Sequence, residues 1–157
     1  MGKLSPPAPL SDDVDFSEFC SGEEQLDDWL KRRALKNELT GASRTYVVCD
    51  QKRVIAYYAI ATGSVMQIES PGKIKRNMPD PIPVIILGRL AIDENWQGKG
   101  LGSGLLKDAL LRASEISQQV GVRALVVQTM SESAKQFYLH HGFMVSPVDE
   151  MKLLMPL

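Results

Sequence analysis

Gln97-Gly98-Lys99-Gly100-Leu101-Gly102 lies between an apolar run at residues 84–92 and a helical pattern at residues 101–120. Three glycines in five positions allow the backbone to approach a ligand closely and to turn its N–H groups toward it. The helix that follows this segment has a partly positive N-terminus. The segment is therefore predicted to form a cradle for an anion such as a pyrophosphate.

Three patterns of phosphate-binding loop can be compared with this segment. A dinucleotide fingerprint needs G-x-G-x-x-G, but the glycines here are spaced as G-x-G-x-G-x-G, and glutamines rather than an acidic residue follow about 20 positions later. A P-loop needs Gly-Lys-Ser/Thr, but Lys99 is followed by Gly100. The pattern [RQ]-x-x-G-x-[GA] is met by Gln97, Gly100 and Gly102. In this respect the chain resembles the coenzyme A pyrophosphate loop of the GNAT acetyltransferase superfamily.

A second motif points to the same superfamily. Residues 131–143 read Ser-Glu-Ser-Ala-Lys-Gln-Phe-Tyr-Leu-His-His-Gly-Phe. They are similar to the closing motif Asn-x-x-Ala-x-x-x-Tyr-x-x-x-Gly-Phe of that superfamily, with Ala134, Tyr138 and Gly142 in register. Ser131 replaces the asparagine, and either residue can cap a helix. The two motifs are separated by one helical pattern and one strand, as the resemblance requires.

The periodicity of apolar residues predicts the order of the elements along the chain. Ser21 is expected to cap the first helix, with Glu24 completing a capping box, and Gly41 is expected to end it. The predicted elements are a helix at 21–41, a hairpin with strands at 45–49 and 54–61, a surface loop at 70–83, a strand at 84–92, a helix at 101–120, a strand at 123–129, a helix at 132–141 and a strand at 148–155.

This order predicts an α/β protein, and the resemblance implies the GNAT fold, with a central mixed, mostly antiparallel sheet flanked by helices. Residues 1–15 are rich in Pro, Ser and Asp and are expected to form an extended N-terminal segment. Residues 16–157 are expected to form a single GNAT acetyltransferase domain.

The composition is that of an ordinary globular protein. Of the 157 residues, 44% are hydrophobic and 24% are charged. No apolar run is long enough to predict a transmembrane helix, and residues 1–10 do not have the pattern of a secretory signal, so a cytoplasmic location is expected. Cys20 and Cys49 lack a metal-binding spacing, and adjacent His140 and His141 do not form an i,i+4 pair, so no metal is expected.

The charges are segregated along the chain although the net charge is only −1. Acidic residues are frequent at positions 12–28, and basic residues follow at 31–36 and again at 73–76. One interpretation is a solvated helix with acid near its N-terminus and base near its C-terminus, as the helix dipole favours. The other is a basic patch that binds nucleic acid. The charge pattern alone leaves both open.

Acetyl transfer to an amine requires a polarised thioester, a neutral amine and stabilisation of the leaving thiolate. Gly88 predicts a bulge or splay in the central strand. The resemblance implies that backbone groups of this strand hold the acetyl and pantetheine arm, and that the glycine-rich segment holds the pyrophosphate of acetyl-CoA. The cofactor-binding residues implied in this way are Leu90, Ala91, Ile92, Gln97, Gly98, Lys99, Gly100, Leu101, Gly102, Ser103 and Ser133.

Tyr138 is the candidate general acid. A phenol with a pKa of about 10 is mostly protonated at pH 7 and can donate to a thiolate. The motif register places it where the superfamily has its catalytic tyrosine, whereas the helical pattern alone is also compatible with a core tyrosine. No general base is evident, because the sequence does not define where the side chains of Asp93 and Glu94 point. An α-amine with a pKa of about 7.7–8.0 is already partly neutral and needs less help than a lysine amine.

A closer resemblance extends over nearly the whole chain. The segments at residues 19–34, 41–48 and 87–93 are similar to those of the GNAT toxins of bacterial toxin–antitoxin pairs. The resemblance implies acetylation of the α-amine of the amino acid on charged tRNA and inhibition of translation. It also implies a homodimer, neutralisation by a ribbon-helix-helix antitoxin, and binding of operator DNA as a repressor complex with that antitoxin.

Under this resemblance, clustered basic residues become candidates for tRNA phosphate contacts. Arg89 lies in an apolar strand, and its alternative role is structural hydrogen bonding at the edge of the dimer or the cleft. Two other functions stay open: a small-molecule or antibiotic N-acetyltransferase, and a module that binds acyl-CoA without catalysis. The basic loops argue against a cationic small acceptor. The candidate tRNA-binding residues are Lys31, Arg32, Arg33, Lys36, Arg76 and Arg89.

Overall fold

The computed structural model describes residues 4–157. Within this range the strands are β1 (Ala8–Pro9), β2 (Arg44–Asp50), β3 (Arg53–Val65), β4 (Ile82–Ile92), β5 (Ala124–Gln128), β6 (Met144–Val145) and β7 (Lys152–Pro156). The helices are α1 (Glu24–Trp29), α2 (Leu35–Thr40), α3 (Gly72–Lys75), α4 (Leu101–Ser117) and α5 (Glu132–His140). A π-helical turn, Leu30–Ala34, joins α1 to α2, and 3₁₀ turns occupy Gln67–Glu69 and Glu94–Trp96.

The strands form a seven-stranded sheet in the order β1-β2-β3-β4-β5-β7-β6 over the described part of the chain. The pairs β1–β2, β2–β3, β5–β7 and β6–β7 are antiparallel, whereas β4 and β5 are parallel. The prediction of a mixed, mostly antiparallel sheet flanked by helices is confirmed. No described helix is long and apolar enough to cross a membrane.

Two compact units contain the elements. The first consists of the described residues up to 61 and of residues 88–109. Its core combines the helical segment 24–40 with the β2–β3 hairpin and the end of β4. The N-terminal segment joins it through pairing of Ala8 with Val47, because an extended chain can add to the open edge of β2. The core side chains include Phe19, Leu30, Ala34, Val54, Tyr57 and Ala91.

The second unit consists of residues 62–87 and 110–157. Its core lies on the beginning of β4 and on β5 and β7. In the parallel ladder Ile85 pairs with Leu125, and Ile86 pairs with Val126. Lys152 forms an ion pair with Glu69, and this bond lowers the pKa of the Glu69 carboxyl. The core side chains include Ile74, Ile82, Val84, Ala124, Val126 and Leu154.

The structure corrects several local predictions. Ser21 does not cap α1; its Oγ accepts from Glu23 N–H, while the Asp27 carboxylate accepts from both the N–H and the Oγ of Ser21. The first helix is continuous but contains the π-helical turn, which the apolar stripe did not reveal. The predicted loop at 70–83 contains α3, and the two-residue strands β1 and β6 were not predicted. Such short elements are defined by their neighbours and carry no periodicity of their own.

Gly63 in β3 provides a test of packing in the second unit. A Cβ at this position would lie 2.6 Å from Cγ1 of Ile86. We expect Gly63→Ala to lower the free energy of unfolding by about 1–3 kcal/mol, because the added methyl overpacks the sheet surface. Gly72→Ala is the matched control, since no heavy atom lies within 4 Å of the corresponding Cβ. Urea unfolding of both variants measures the difference, and equal stabilities would contradict this packing.

Candidate active site

The glycine-rich segment turns the chain from the 3₁₀ turn at Glu94–Trp96 into α4. Gly98 and Gly100 have φ angles of +76° and +82°, a left-handed conformation that favours glycine. The N–H of Gly104 donates to the carbonyl of Gly100 at 3.3 Å and closes the first turn of the helix. Leu101 and Gly102 begin α4, where N–H groups have no acceptor in a preceding turn of the helix, and residues 97–100 are exposed. The segment thus has the backbone geometry of an anion cradle.

Gln97 anchors this cradle. Its Nε2 donates to the carbonyl of Ser21 at 2.7 Å and to the carbonyl of Ile92 at 2.8 Å. The side chain therefore ties the start of the segment both to the end of β4 and to the chain that leads into α1. Lys99 is exposed, and its Nζ lies 5.2 Å from the centre of the Trp96 ring. The glutamine of the motif thus has a positioning role that the sequence pattern did not specify.

Asp93, which directly follows β4, also links the end of this strand to the chain that leads into α1. Its side chain is buried, with 1% of the residue exposed. The carboxylate accepts from the N–H of Cys20 at 3.1 Å and from the N–H of Asn95 at 3.0 Å, and Arg53 lies at 4.0 Å. Because main-chain donors occupy the carboxylate, Asp93 serves the structure rather than proton abstraction. The sequence left the direction of the Asp93 side chain open, and in the structure this side chain is buried. The neighbouring Glu94 is exposed.

The end of β4 carries the residues predicted to bind the acetyl and pantetheine arm. Ala91 packs in the first unit's core and is 4% exposed, so its side chain is not available to a ligand. Leu90 and Ile92 are half-buried. A Cβ at Gly88 would lie 4.0 Å from the carbonyl oxygen of Ala59, an ordinary contact. Close packing within the first unit therefore does not explain the glycine at this position.

Tyr138 lies on α5 in the second unit. Its ring packs edge-on against Phe137 and Phe143, with ring centres at 5.1 and 5.2 Å. The residue is 7% exposed, and burial raises the pKa of the phenol above its ordinary value. Its hydroxyl makes no hydrogen bond to any residue that the structure describes. The phenol is thus kept in its protonated form and has a donor that the protein does not use.

The start of α5 is capped as the motif predicts. Ser131 Oγ accepts from the N–H of Ala134 at 3.1 Å. Ser133, a predicted cofactor-binding residue, is exposed, and its Oγ lies 3.2 Å from that of Ser131.

The predicted tRNA-binding residues occupy different parts of the fold. Three of them lie on the π-helical turn and one on α2, so the helix brings these four together in the first unit. Arg76 follows α3 in the second unit. None of these five side chains has a hydrogen bond or an ion pair with a residue in the range 4–157. The exposed residues of this set are Lys31, Arg32, Arg33, Lys36 and Arg76.

Arg89 is half-buried, unlike the other basic candidates. Its guanidinium carbon lies 4.5 Å from the centre of the Trp29 ring. Trp29 in turn stacks on Tyr57, with ring centres 6.0 Å apart and planes inclined by 11°. Trp29 was not predicted as a partner of Arg89, because the helical pattern showed it only as part of an apolar stripe. The sequence feature that pointed to such a contact was Arg89 itself, a charged residue within an apolar strand.

Among the described residues, no group of three His, Cys, Asp or Glu side chains is arranged to hold a metal ion.

Comparison with known proteins gives consistent matches over the chain. A family model described as an acetyltransferase (GNAT) domain matches residues 41–145. A tRNA-acetylating toxin of Mycobacterium tuberculosis is 46% identical over 155 residues, which cover 99% of this chain and 93% of that protein.

Two solved structures show the similarity of the fold. AtaT complexed with acetyl-methionyl-tRNAfMet has a TM-score of 0.91 and 29% identity, and the match covers 98% of this chain and 95% of AtaT. A tyrosine-to-phenylalanine mutant of AtaT, bound to the C-terminus of the antitoxin AtaR and to acetyl-CoA, has a TM-score of 0.82 and 28% identity. That match covers 98% of this chain and 92% of the other.

The left-handed glycines generate a prediction about cofactor affinity. We expect Gly100→Ala to weaken acetyl-CoA binding by about 10-fold, because a Cβ at this φ costs about 1–2 kcal/mol and distorts the cradle. Gly104→Ala is the matched control: it lies inside α4, and no heavy atom lies within 4 Å of its Cβ. We expect that control to keep its affinity. Isothermal titration with acetyl-CoA measures both, and an unchanged affinity for Gly100→Ala would contradict the role of the segment.

Proposed function

The chain belongs to the GNAT acetyltransferase family, and on this premise we propose that it is a toxin that transfers the acetyl group of acetyl-CoA to the α-amine of the amino acid on charged tRNA. This modification blocks translation, because the acetylated amine can no longer accept a peptide. The single observation that carries the proposal is the 46% identity to a tRNA-acetylating toxin over 99% of the chain. AtaT, which has the same fold, is known in complex with an acetylated aminoacyl-tRNA.

Acetyl-CoA supplies a thioester whose acetyl group is the one transferred. The first unit suits such a ligand, because the left-handed Gly98 and Gly100 lead directly into the N-terminus of α4, which favours an anion. We assign the diphosphate to the amides of residues 97–103, with Lys99 as a nearby cation. Backbone groups of Leu90, Ala91 and Ile92 would hold the pantetheine arm as an added strand does. Ser133 is proposed as a further contact.

Tyr138 is the proposed general acid. Burial raises the pKa of its phenol, so the hydroxyl stays protonated throughout the physiological range. Its oxygen has no partner among the described residues, so the proton on Tyr138 Oη can be donated to the sulfur as the thiolate leaves. The neighbouring rings of Phe137 and Phe143 hold the phenol in a fixed orientation.

The acceptor amine explains the lack of an evident base. The carboxylate of Asp93 accepts hydrogen bonds from the main-chain N–H groups of Cys20 and Asn95, so we assign it a structural role rather than that of a base. An α-amine with a pKa of about 7.7–8.0 is partly neutral at pH 7, and an ester at the neighbouring carboxyl lowers that pKa further. Positioning of the charged tRNA is therefore the main task of the protein on the acceptor side.

The basic residues are proposed to perform this positioning. Lys31, Arg32, Arg33 and Lys36 lie exposed on one helical segment and form no ion pair with any residue between 4 and 157, which suits a row of phosphates. Arg76 and Arg89 are proposed as additional contacts.

The proposed partners follow the same relatives. A small antitoxin of the ribbon-helix-helix class is proposed to neutralise the toxin, since AtaT is known with the C-terminus of the antitoxin AtaR. We further propose a homodimer in the cytoplasm, which binds operator DNA only within the antitoxin complex.

The experiment that tests the function incubates the purified protein with acetyl-CoA and a mixture of charged tRNAs, followed by mass spectrometry of the released aminoacyl groups. We expect N-acetylation of at least one aminoacyl group and arrest of a cell-free translation reaction. Acetylation of no aminoacyl group, together with acetylation of an amine-bearing antibiotic, would replace the proposal with a small-molecule acetyltransferase.

We expect Tyr138→Phe to lower kcat by about 100-fold or more while the KM for acetyl-CoA is unchanged, because the variant lacks the donated proton but keeps the ring. Release of the CoA thiol measures the rate, and circular dichroism checks the fold. Tyr46→Phe is the matched control, since Tyr46 lies on β2 among the residues outside the site. A wild-type kcat for the Tyr138 variant would remove this residue as the proton donor.

The pKa of Tyr138 also predicts the pH profile. We expect kcat/KM for charged tRNA to rise as the substrate amine loses its proton, with a midpoint at or below about 8. Because burial raises the pKa of the phenol above its ordinary value of about 10, the rate should not fall again below pH 10. Initial rates from pH 6 to 9.5, with tRNA charging verified at each pH, check the profile. A falling limb between pH 7 and 9 would contradict the assignment.

A further inference from the structure

Arg89 is the basic residue that lies on the strand predicted to hold the acetyl group. It directly precedes Leu90, so its backbone is one residue away from the proposed pantetheine contacts. Its side chain is half-buried, although an arginine is rarely buried without a partner. Within residues 4–157 the guanidinium makes no hydrogen bond and no ion pair, and its carbon lies 4.5 Å from the centre of the Trp29 ring.

The contact with Trp29 leaves the hydrogen-bonding groups of Arg89 available. A guanidinium stacked on a ring uses its flat face, while its five N–H donors lie in the plane and point away from the ring. The ring itself is fixed, because Trp29 stacks on Tyr57, whose hydroxyl donates to the carbonyl of Leu26 at 2.6 Å. Arg89 is thus held rigidly with an unused donor fork, the arrangement that binds a phosphate well.

Charged tRNA, the proposed substrate, has one phosphate that suits a site at Arg89. The acceptor amino acid is esterified to the terminal adenosine of tRNA, and the nearest phosphate joins that adenosine to the preceding cytidine. The exposed cations at residues 31–36 lie on a separate helical segment and can contact phosphates further along the tRNA. The strand that holds the thioester carries Arg89, so this residue is the candidate for the phosphate nearest the reacting amine.

We infer that Arg89, oriented by stacking on Trp29, binds the phosphate between the last two nucleotides of charged tRNA and so places the α-amine at the thioester. This inference rests on the proposed function. It gives Arg89 a direct substrate contact and Trp29 a positioning role, and it separates both from the general electrostatic attraction supplied by Lys31, Arg32, Arg33 and Lys36.

Two small acceptors test the inference directly. Aminoacyl-adenosine carries the reactive amine without any phosphate, whereas aminoacyl-cytidylyl-adenosine adds only the phosphate in question. We expect the wild-type protein to acetylate the second at a kcat/KM about 10-fold or more above the first. We expect Arg89→Ala to reduce the ratio of the two kcat/KM values from about 10 or more to about 1, because the variant cannot bind the phosphate that distinguishes the two acceptors. A structural role for Arg89 would instead lower both rates equally and would overturn the inference.

Graded variants separate charge from orientation. Arg89→Lys keeps the charge but lacks the planar fork, so we expect it to recover only part of the preference. Trp29→Phe keeps a ring beneath the guanidinium and should retain more of the preference than Trp29→Leu, which keeps an apolar side chain in the core but removes the stacking. If Trp29→Leu does not fold, Arg89→Lys and Trp29→Phe decide the outcome. A full preference in Arg89→Lys would overturn the role of the planar fork, and a full preference in Trp29→Leu would overturn the role of stacking.

The salt dependence with charged tRNA gives an independent measure. Loss of one phosphate contact on a single strand should reduce the slope of log KM against log salt by about 0.7 for Arg89→Ala. Lys52→Ala, on the β2–β3 turn, is the control and should leave the slope unchanged. An unchanged slope in Arg89→Ala would contradict the inference. If the wild-type protein acetylates charged tRNA but shows no preference between the small acceptors, the inference fails and the proposed function stands.

Discussion

The buried carboxylate of Asp93 holds the junction on which the candidate cofactor site depends. A charge taken out of water is costly unless hydrogen bonds replace its hydration. Here two main-chain N–H groups and a nearby arginine do so, and one of these N–H groups belongs to Cys20, 73 positions away in the chain. Asp93 thereby fixes the end of β4, the 3₁₀ turn that follows it and the segment before α1 relative to one another. The left-handed turn at Gly98 and Gly100 begins from this fixed base.

The same junction connects the parts of the first unit that are proposed to bind the two substrates. Gln97 bonds to the carbonyl of Ser21, and Ser21 in turn bonds to the carboxylate of Asp27 on α1. Asp27 lies one helical turn before the basic residues that begin at Lys31. The guanidinium of Arg89 lies over the ring of Trp29. A continuous set of hydrogen bonds and stacked rings thus extends from the anion cradle to the helix with free cations, so both groups of residues are built on one rigid support.

Features that depend only on a short stretch of sequence could be predicted. The glycine-rich turn was predictable because glycine spacing and a following helix are properties of a short segment, and the place of Tyr138 on the last helix was predictable from the register of the closing motif. The binding and catalytic roles of these residues stay predictions. Side-chain partners across the fold were not predictable. Nothing in the local pattern joins Trp29 to Arg89 or Asp93 to Cys20, since these contacts depend on how β4 and the N-terminal segment pack. Ser21 shows the same limit: it had the pattern of a helix cap, but Asp27 accepts its hydrogen bonds instead.

The central claim is that amides of residues 97–103 bind the diphosphate of acetyl-CoA while the hydroxyl of Tyr138 serves its sulfur. A crystal structure of the protein with acetyl-CoA measures this most directly. We expect diphosphate oxygens within hydrogen-bond distance of amides in this segment, and Tyr138 Oη within direct or one-water reach of the sulfur. A complex in which these amides face solvent, or in which another residue's proton donor lies nearest the sulfur, would contradict it.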